Sequence, residues 1–308
     1  MDRVYVMQLV RSFQAGEMTR RSFLTKATAA LGSLAAANVL LAGCQPVTPP
    51  PAEVVVEEDA AESAAEDDAG GDGSDEMAAA GLVTGMVEYP GGADDQALTG
   101  YLARPKSGDP APIVIVIQEW WGLNEHIKDV TRRFADEGFV ALAPDLYHGV
   151  VVSEPDEARK LVMALDMEAA VGEIQSAIDY LQGQDYVADA KAGVVGFCMG
   201  GRLVLATSLV EDDLGAGVVF YGSPLSPDQV GEVKAPLLGL YGDQDRGIPV
   251  EAVQAMDEAL DGTDVEHEIY IYENAQHAFF NDTRESSYNA EVSADAWAKT
   301  LAWFSERL

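Results

Sequence analysis

The sequence predicts an α/β fold, a doubly wound and mostly parallel sheet opened by an antiparallel hairpin. Three observations predict it. Short apolar runs alternate with amphipathic segments from Ile113 onward, the pattern of strands joined by helices that cover both faces of a sheet. Before them, Val83–Tyr89 and Leu98–Ala103 flank a Gly-Gly-Ala-Asp-Asp turn cluster, the signature of a hairpin. The stretch from Gly81 to Leu308 is about 230 residues long, the size of one domain, and carries no internal repeat.

In chain order, the hairpin strands are followed by strand Ile113–Ile117, helix Ile127–Glu137 and strand Val140–Ala143. Helices over Glu154–Leu165 and Met167–Gln182 lead to strand Gly193–Gly196, which runs directly into helix Met199–Leu209. Strands Ala216–Tyr221 and Pro236–Tyr241, helix Val250–Leu260, strand Val265–Tyr272 and helix Ala290–Arg307 complete the pattern. Each strand is a short apolar run, and each helix spaces its apolar residues to line one face.

Of 308 residues, 52 are acidic and 19 basic, a formal charge of −33. Such a polyanion is a poor partner for a nucleic-acid backbone, so that function class is excluded. Two cysteines, Cys44 and Cys198, are too few for a disulfide scaffold. At 48% hydrophobic and 23% charged residues, the composition is that of a globular protein with a sizeable core.

The charge is unevenly spread. Residues 1–44 hold five basic and two acidic side chains. Within them Arg20-Arg21-Ser22-Phe23-Leu24 precedes a weakly apolar run, Ala27 to Leu41, that ends in Leu41-Ala42-Gly43-Cys44. The run is shorter than the ~20 residues a membrane-spanning helix needs, so a removed export signal over 1–43 is expected. The paired arginines resemble a twin-arginine signal, and the Leu-Ala-Gly-Cys end resembles a lipobox. That resemblance implies cleavage before Cys44, lipidation of its thiol, and anchoring to the outer or periplasmic face of the cell membrane. Residues 44–80 begin with a Pro-rich run and place eleven acids between Glu53 and Glu76, with no aromatic residue. A segment of this composition reads as a disordered tether. The folded part, 81–308, then holds 39 acids against 14 bases.

In such a sheet the chemistry is expected in loops at the carboxyl ends of strands. Gly196-Phe197-Cys198-Met199-Gly200-Gly201 joins a strand to a helix through a turn too sharp for bulky neighbours, the context of a nucleophile elbow with cysteine as nucleophile. The helix amino end points its dipole at the sulfur and favours a thiolate. No G-x-G-x-x-G or Walker pattern supports a phosphate loop instead. An acid follows in Gly242-Asp243-Gln244-Asp245, and a histidine follows in Asn274-Ala275-Gln276-His277. That is the order nucleophile, acid, histidine of the α/β-hydrolases. His267 falls inside a strand, and His126 and His148 precede the cysteine. No pair of histidines has ligand spacing, so neither a metal nor a cofactor is expected.

These motifs, together with Gln118-Glu119-Trp120-Trp121-Gly122-Leu123-Asn124 and Pro144-Asp145-Leu146-Tyr147, resemble the dienelactone hydrolase family across Val83–Leu308. The resemblance implies an α/β-hydrolase with Cys198 as nucleophile, His277 as general base and acid, Asp245 orienting His277, and Glu119 helping to generate the thiolate. It also implies backbone N–H groups of Met199 and Trp120 as oxyanion donors. Trp121, Tyr147 and Asn281 are expected to line the substrate pocket. Family members acting on dienelactone carry arginines at the positions held here by Gly149 and Asn281. Losing both guanidinium contacts removes the grip on a substrate carboxylate, so dienelactone itself is not the expected substrate. The expected activity is hydrolysis of an ester, lactone or thioester by a monomer. A catalytically silent surface lipoprotein that binds a ligand or partner is the alternative.

Overall fold

The structure, a computed structural model, describes residues 81–91, 97–106 and 108–308. The expected export signal, Cys44 and the expected acidic tether therefore lie outside the described residues. β1 (Leu82–Tyr89) and β2 (Leu98–Pro105) form the expected antiparallel hairpin, with Leu82 opposite Pro105 and Tyr89 opposite Leu98. β2 also pairs antiparallel with β4 (Val140–Pro144). From there β3 (Ile113–Ile117), β5 (Ala192–Phe197), β6 (Leu214–Phe220), β7 (Leu237–Gly242) and β8 (His267–Tyr272) are all parallel. The sheet order among the described residues is β1-β2-β4-β3-β5-β6-β7-β8. β3 to β7 are buried along their whole length, as strands covered on both faces must be.

The helices are α1 (Glu125–Asp136), α2 (Pro155–Ala164), α3 (Met167–Gln182), α4 (Met199–Val210), α5 (Val250–Leu260) and α6 (Ala290–Ser305). Their starts follow from local chemistry. Asn124 accepts the Ile127 N–H at 3.2 Å, Asp166 accepts those of Glu168 and Ala169, and Asn289 accepts that of Val292. α2 lacks such a cap but opens on Pro155, whose missing N–H costs nothing at a first helical position. α4 and α6 cover opposite faces: a side chain at Gly217 of β6 would meet Val204 of α4, whereas one at Gly193 of β5 would meet Phe304 of α6. Gly193 pairs with Ala216, not Gly217, so the two glycines point to opposite sides.

Most strand ends lie one or two residues from expectation, and two of these shifts have a clear local cause. β8 starts at His267 rather than Val265 because the Thr263 hydroxyl captures the Val265 N–H at 3.2 Å, closing a turn before the ladder begins. β6 stops at Phe220 because Tyr221 adopts φ +40, a left-handed conformation that no strand contains.

Candidate active site

Cys198 links β5 to α4 with φ +57 and ψ −112, rare values for a residue that carries a side chain. Glycines make this turn possible. A Cβ on Gly196 would overlap the Gly200 carbonyl, and one on Gly200 would lie 2.5 Å from the Ile117 oxygen and 2.7 Å from that of Gln118. The start of α4 is thereby pressed against the end of β3, and the loops bearing Cys198 and Glu119 become neighbours. Gly200→Ala is expected to lower stability by about 1–3 kcal/mol through this backbone clash, read as a lower urea midpoint with unchanged m-value.

At the end of β7 the Asp245 side chain is almost fully buried. Its Oδ1 accepts N–H groups of Gly247 at 2.8 Å and Ile248 at 3.1 Å, and its Oδ2 lies 2.6 Å from His277 Nδ1. Asp243, the other acid of this loop, is exposed. The His277 ring, beyond β8, also interacts electrostatically with the Cys198 thiol, and the two side chains line one cavity. Burial disfavours the charged imidazolium, but the contacts with Asp245 and Cys198 outweigh it and push the His277 pKa up from 6.5 to about 10. Cys198 itself is a free, half-buried cysteine.

Glu119 is 2% exposed, directly beyond β3. Its carboxylate accepts the Asn281 amide at 2.7 Å and the Tyr221 hydroxyl at 3.3 Å. Asn281 is thus turned inward: its Oδ1 takes the Thr283 N–H and hydroxyl, and its amide is spent on Glu119. Tyr221 is a site residue that strand patterning conceals. Its buried ring lies 5.1 Å from that of His277, and burial followed by the nearby Glu119 charge holds its hydroxyl well above the usual phenol range. The signal that marks it is position, the first residue beyond β6 and followed by Gly222, where a side chain would run into Gly201.

A cavity of about 290 Å³ lies over Cys198 and His277, walled by Glu119, Trp120, Trp121 and Ala278. Tyr147 stands outside this lining and donates its hydroxyl to the Met199 sulfur at 3.2 Å; burial, then Cys198, push its pKa up to about 12. Asp145 shapes the loop behind it by accepting the Tyr147 and Gly149 N–H groups. Arg284, which sequence patterning gave no reason to single out, lines the cavity and stacks over the Trp121 ring at 4.9 Å.

The thiol, carboxylate and imidazole come from the loops after β5, β7 and β8, and they converge at the carboxyl end of the parallel strands, the imidazole bonded to the carboxylate and beside the thiol. Such an arrangement can generate a thiolate and move a proton beside it. Comparison with known proteins decides the lineage: the model of the Dienelactone hydrolase family matches residues 98–308. The chain belongs to the dienelactone hydrolase family.

Relatives in the family include proteins provisionally named carboxymethylenebutenolidase. One from Methylorubrum extorquens is 35% identical over 241 residues, covering 73% of this chain and 82% of the relative. One from Escherichia coli K12 is 37% identical over 246 residues, covering 73% and 88%. Among solved structures, a provisionally named dienelactone hydrolase from Klebsiella pneumoniae superposes with TM-score 0.67 at 32% identity, over 72% of this chain and 99% of that one. A dienelactone hydrolase-like promiscuous phosphotriesterase from metagenomic libraries gives TM-score 0.67 at 27% identity, over 74% and 99%. The family's α/β-hydrolase fold is the one described above, a mostly parallel sheet with an antiparallel β1-β2-β4 start.

Proposed function

We propose that this dienelactone hydrolase-family protein cleaves an ester, lactone or thioester by two-step acyl transfer through Cys198, His277 and Asp245. One observation carries the reading: His277 Nδ1 lies 2.6 Å from a buried carboxylate while its ring shares one cavity with the thiol at the head of α4. In the first step the Cys198 thiolate attacks the carbonyl carbon. The tetrahedral intermediate collapses as the bond to the leaving oxygen breaks, and His277 gives that oxygen its proton. In the second step His277 takes a proton from water, which attacks the thioester, and the acid departs with Cys198 restored.

The oxyanion is met by the Met199 N–H, which as the first residue of α4 has no intrahelical acceptor, and by the Trp120 N–H. Each such donor is worth about 3 kcal/mol in the transition state. The close approach of Gly200 to the Ile117 and Gln118 carbonyls supports pairing these two segments. Glu119, held between Asn281 and Tyr221, is the group we assign to thiolate formation. The names of the relatives point to lactone-type esters, but Gly149 and Asn281 are uncharged, and Asn281 is committed to Glu119. The substrate proposed is therefore an ester other than dienelactone.

Brief reaction with 4-nitrophenyl acetate followed by acid quench should leave an acetyl group on the Cys198 peptide, seen by mass spectrometry. Turnover with the acetyl group on another residue overturns the mechanism. Absence of turnover on esters, thioesters and lactones alike favours the silent-binder alternative. We also propose export and lipid attachment at Cys44, from the order of basic segment, apolar run and Leu-Ala-Gly-Cys. Labelled palmitate should enter the expressed protein and be lost in Cys44→Ala; equal labelling of both refutes the anchor.

A further inference from the structure

The cavity over Cys198 is the inner part of a larger depression. Trp121, Arg284 and Ser286 line it and also line a wider outer cleft of about 480 Å³, whose other walls include Val152, Ser153 and Thr283. The two spaces differ in chemistry. Trp120, Trp121 and Ala278 give the inner one an apolar wall, whereas the outer one is bordered by hydroxyl and amide groups and by no carboxylate. Besides the His277 imidazolium, Arg284, on their shared wall, is the one cation among the described residues that line either space.

Arg132, Arg159 and Arg307 each meet a carboxylate, but Arg284 forms no ion pair among the described residues and lies over the Trp121 ring instead. Stacking occupies the face of the guanidinium and leaves its in-plane N–H edges to pair with a planar anion. The backbone holds it there: the Arg284 N–H bonds the Asn281 carbonyl at 3.1 Å, and its own carbonyl accepts the N–H groups of Ser287 and Tyr288. A preformed cation at the boundary of an apolar cavity and a polar cleft costs little further ordering when a ligand arrives.

We propose that the outer cleft is a second substrate compartment and that Arg284 selects esters whose alcohol part carries a carboxylate. The proposal rests on the acyl-transfer reading. A compact acyl group fills the inner cavity, whose volume bounds it. The alcohol part lies in the outer cleft, with its carboxylate against the guanidinium edge. When the ester C–O bond breaks, His277 protonates the departing oxygen and a hydroxylated carboxylate leaves through the open side. This recognition comes from neither Gly149 nor Asn281 and so does not restore the grip lost at those positions.

The test compares 4-acetoxybenzoate with 4-acetoxybenzamide, its neutral isostere, in the parent, Arg284→Gln and Arg284→Lys. The ratio of kcat/KM values, anionic over neutral, is expected to fall roughly tenfold or more in Arg284→Gln, mainly through KM for the anion, and less in Arg284→Lys. A ratio cancels any loss of folded protein, so a destabilised variant remains informative. An unchanged ratio in Arg284→Gln overturns the proposal. The rate of Cys198 alkylation by iodoacetate relative to iodoacetamide gives a readout that needs no turnover. A fall of that ratio in Arg284→Gln, in a protein that hydrolyses no ester, supports the anion site while the hydrolase reading fails. Ester turnover with both ratios unmoved does the reverse.

Discussion

Cys198→Ala is expected to lower kcat/KM for an aryl ester by roughly 10⁴-fold or more, close to what the emptied site contributes by binding and oxyanion donors alone. The size of the loss follows from the lack of a substitute. Cys198 is the free cysteine among the described residues. Ser286 and Ser287 line the same cavity, but the Ser287 hydroxyl points back to the Ala278 and Arg284 carbonyls, and neither serine is bonded to His277. Without the thiol, the imidazole and its carboxylate have nothing to activate at the head of α4. The parent should also take up one equivalent of iodoacetamide at Cys198 and lose its activity in step. Hydrolysis by Cys198→Ala at the parent's rate would remove the thiol from the mechanism.

Much of this site could be read before the structure because it is local. The elbow is a six-residue pattern whose glycines answer to one tight turn, and Asp245 and His277 each follow an apolar strand within a few residues. Helix α3 coincides with its expected span because Asp166 caps it and Gly183 ends it. What escaped patterning depends on side-chain direction and on partners distant in the chain. Tyr221 reads as one more strand aromatic; only the left-handed turn swings it between Glu119 and His277. Asn281 is a polar residue in a loop, and nothing in its neighbours announces that it will be buried against Glu119. Arg284 acquires meaning only once the loops after β3 and β8 are side by side, which brings it over Trp121.

Asp245→Asn carries the second large effect, and its sign can be worked out from His277. The carboxylate binds the Nδ1 proton at 2.6 Å while its other oxygen is fixed by Gly247 and Ile248. An asparagine that keeps those two backbone bonds turns its NH₂ toward Nδ1, which favours the wrong imidazole tautomer and removes the counter-charge of the imidazolium. Burial, which opposes the charged ring, then acts with less opposition, and the pKa of about 10 must fall. Because His277 donates a proton to the leaving oxygen, activity is present below its pKa and lost above it. The alkaline limb of the kcat/KM profile, near pH 10 in the parent, should therefore move to lower pH, and kcat at neutral pH should drop by about 10²–10⁴-fold. Stability follows the same sign. A pKa raised from 6.5 to about 10 on folding contributes stability that is fully present below pH 6.5 and disappears as the pH rises through about 10. The gap in urea stability between parent and Asp245→Asn should narrow over that window. If the two proteins share one alkaline limb and a constant stability gap, Asp245 does not set the charge of His277, and the proton donor in the first step must be sought elsewhere.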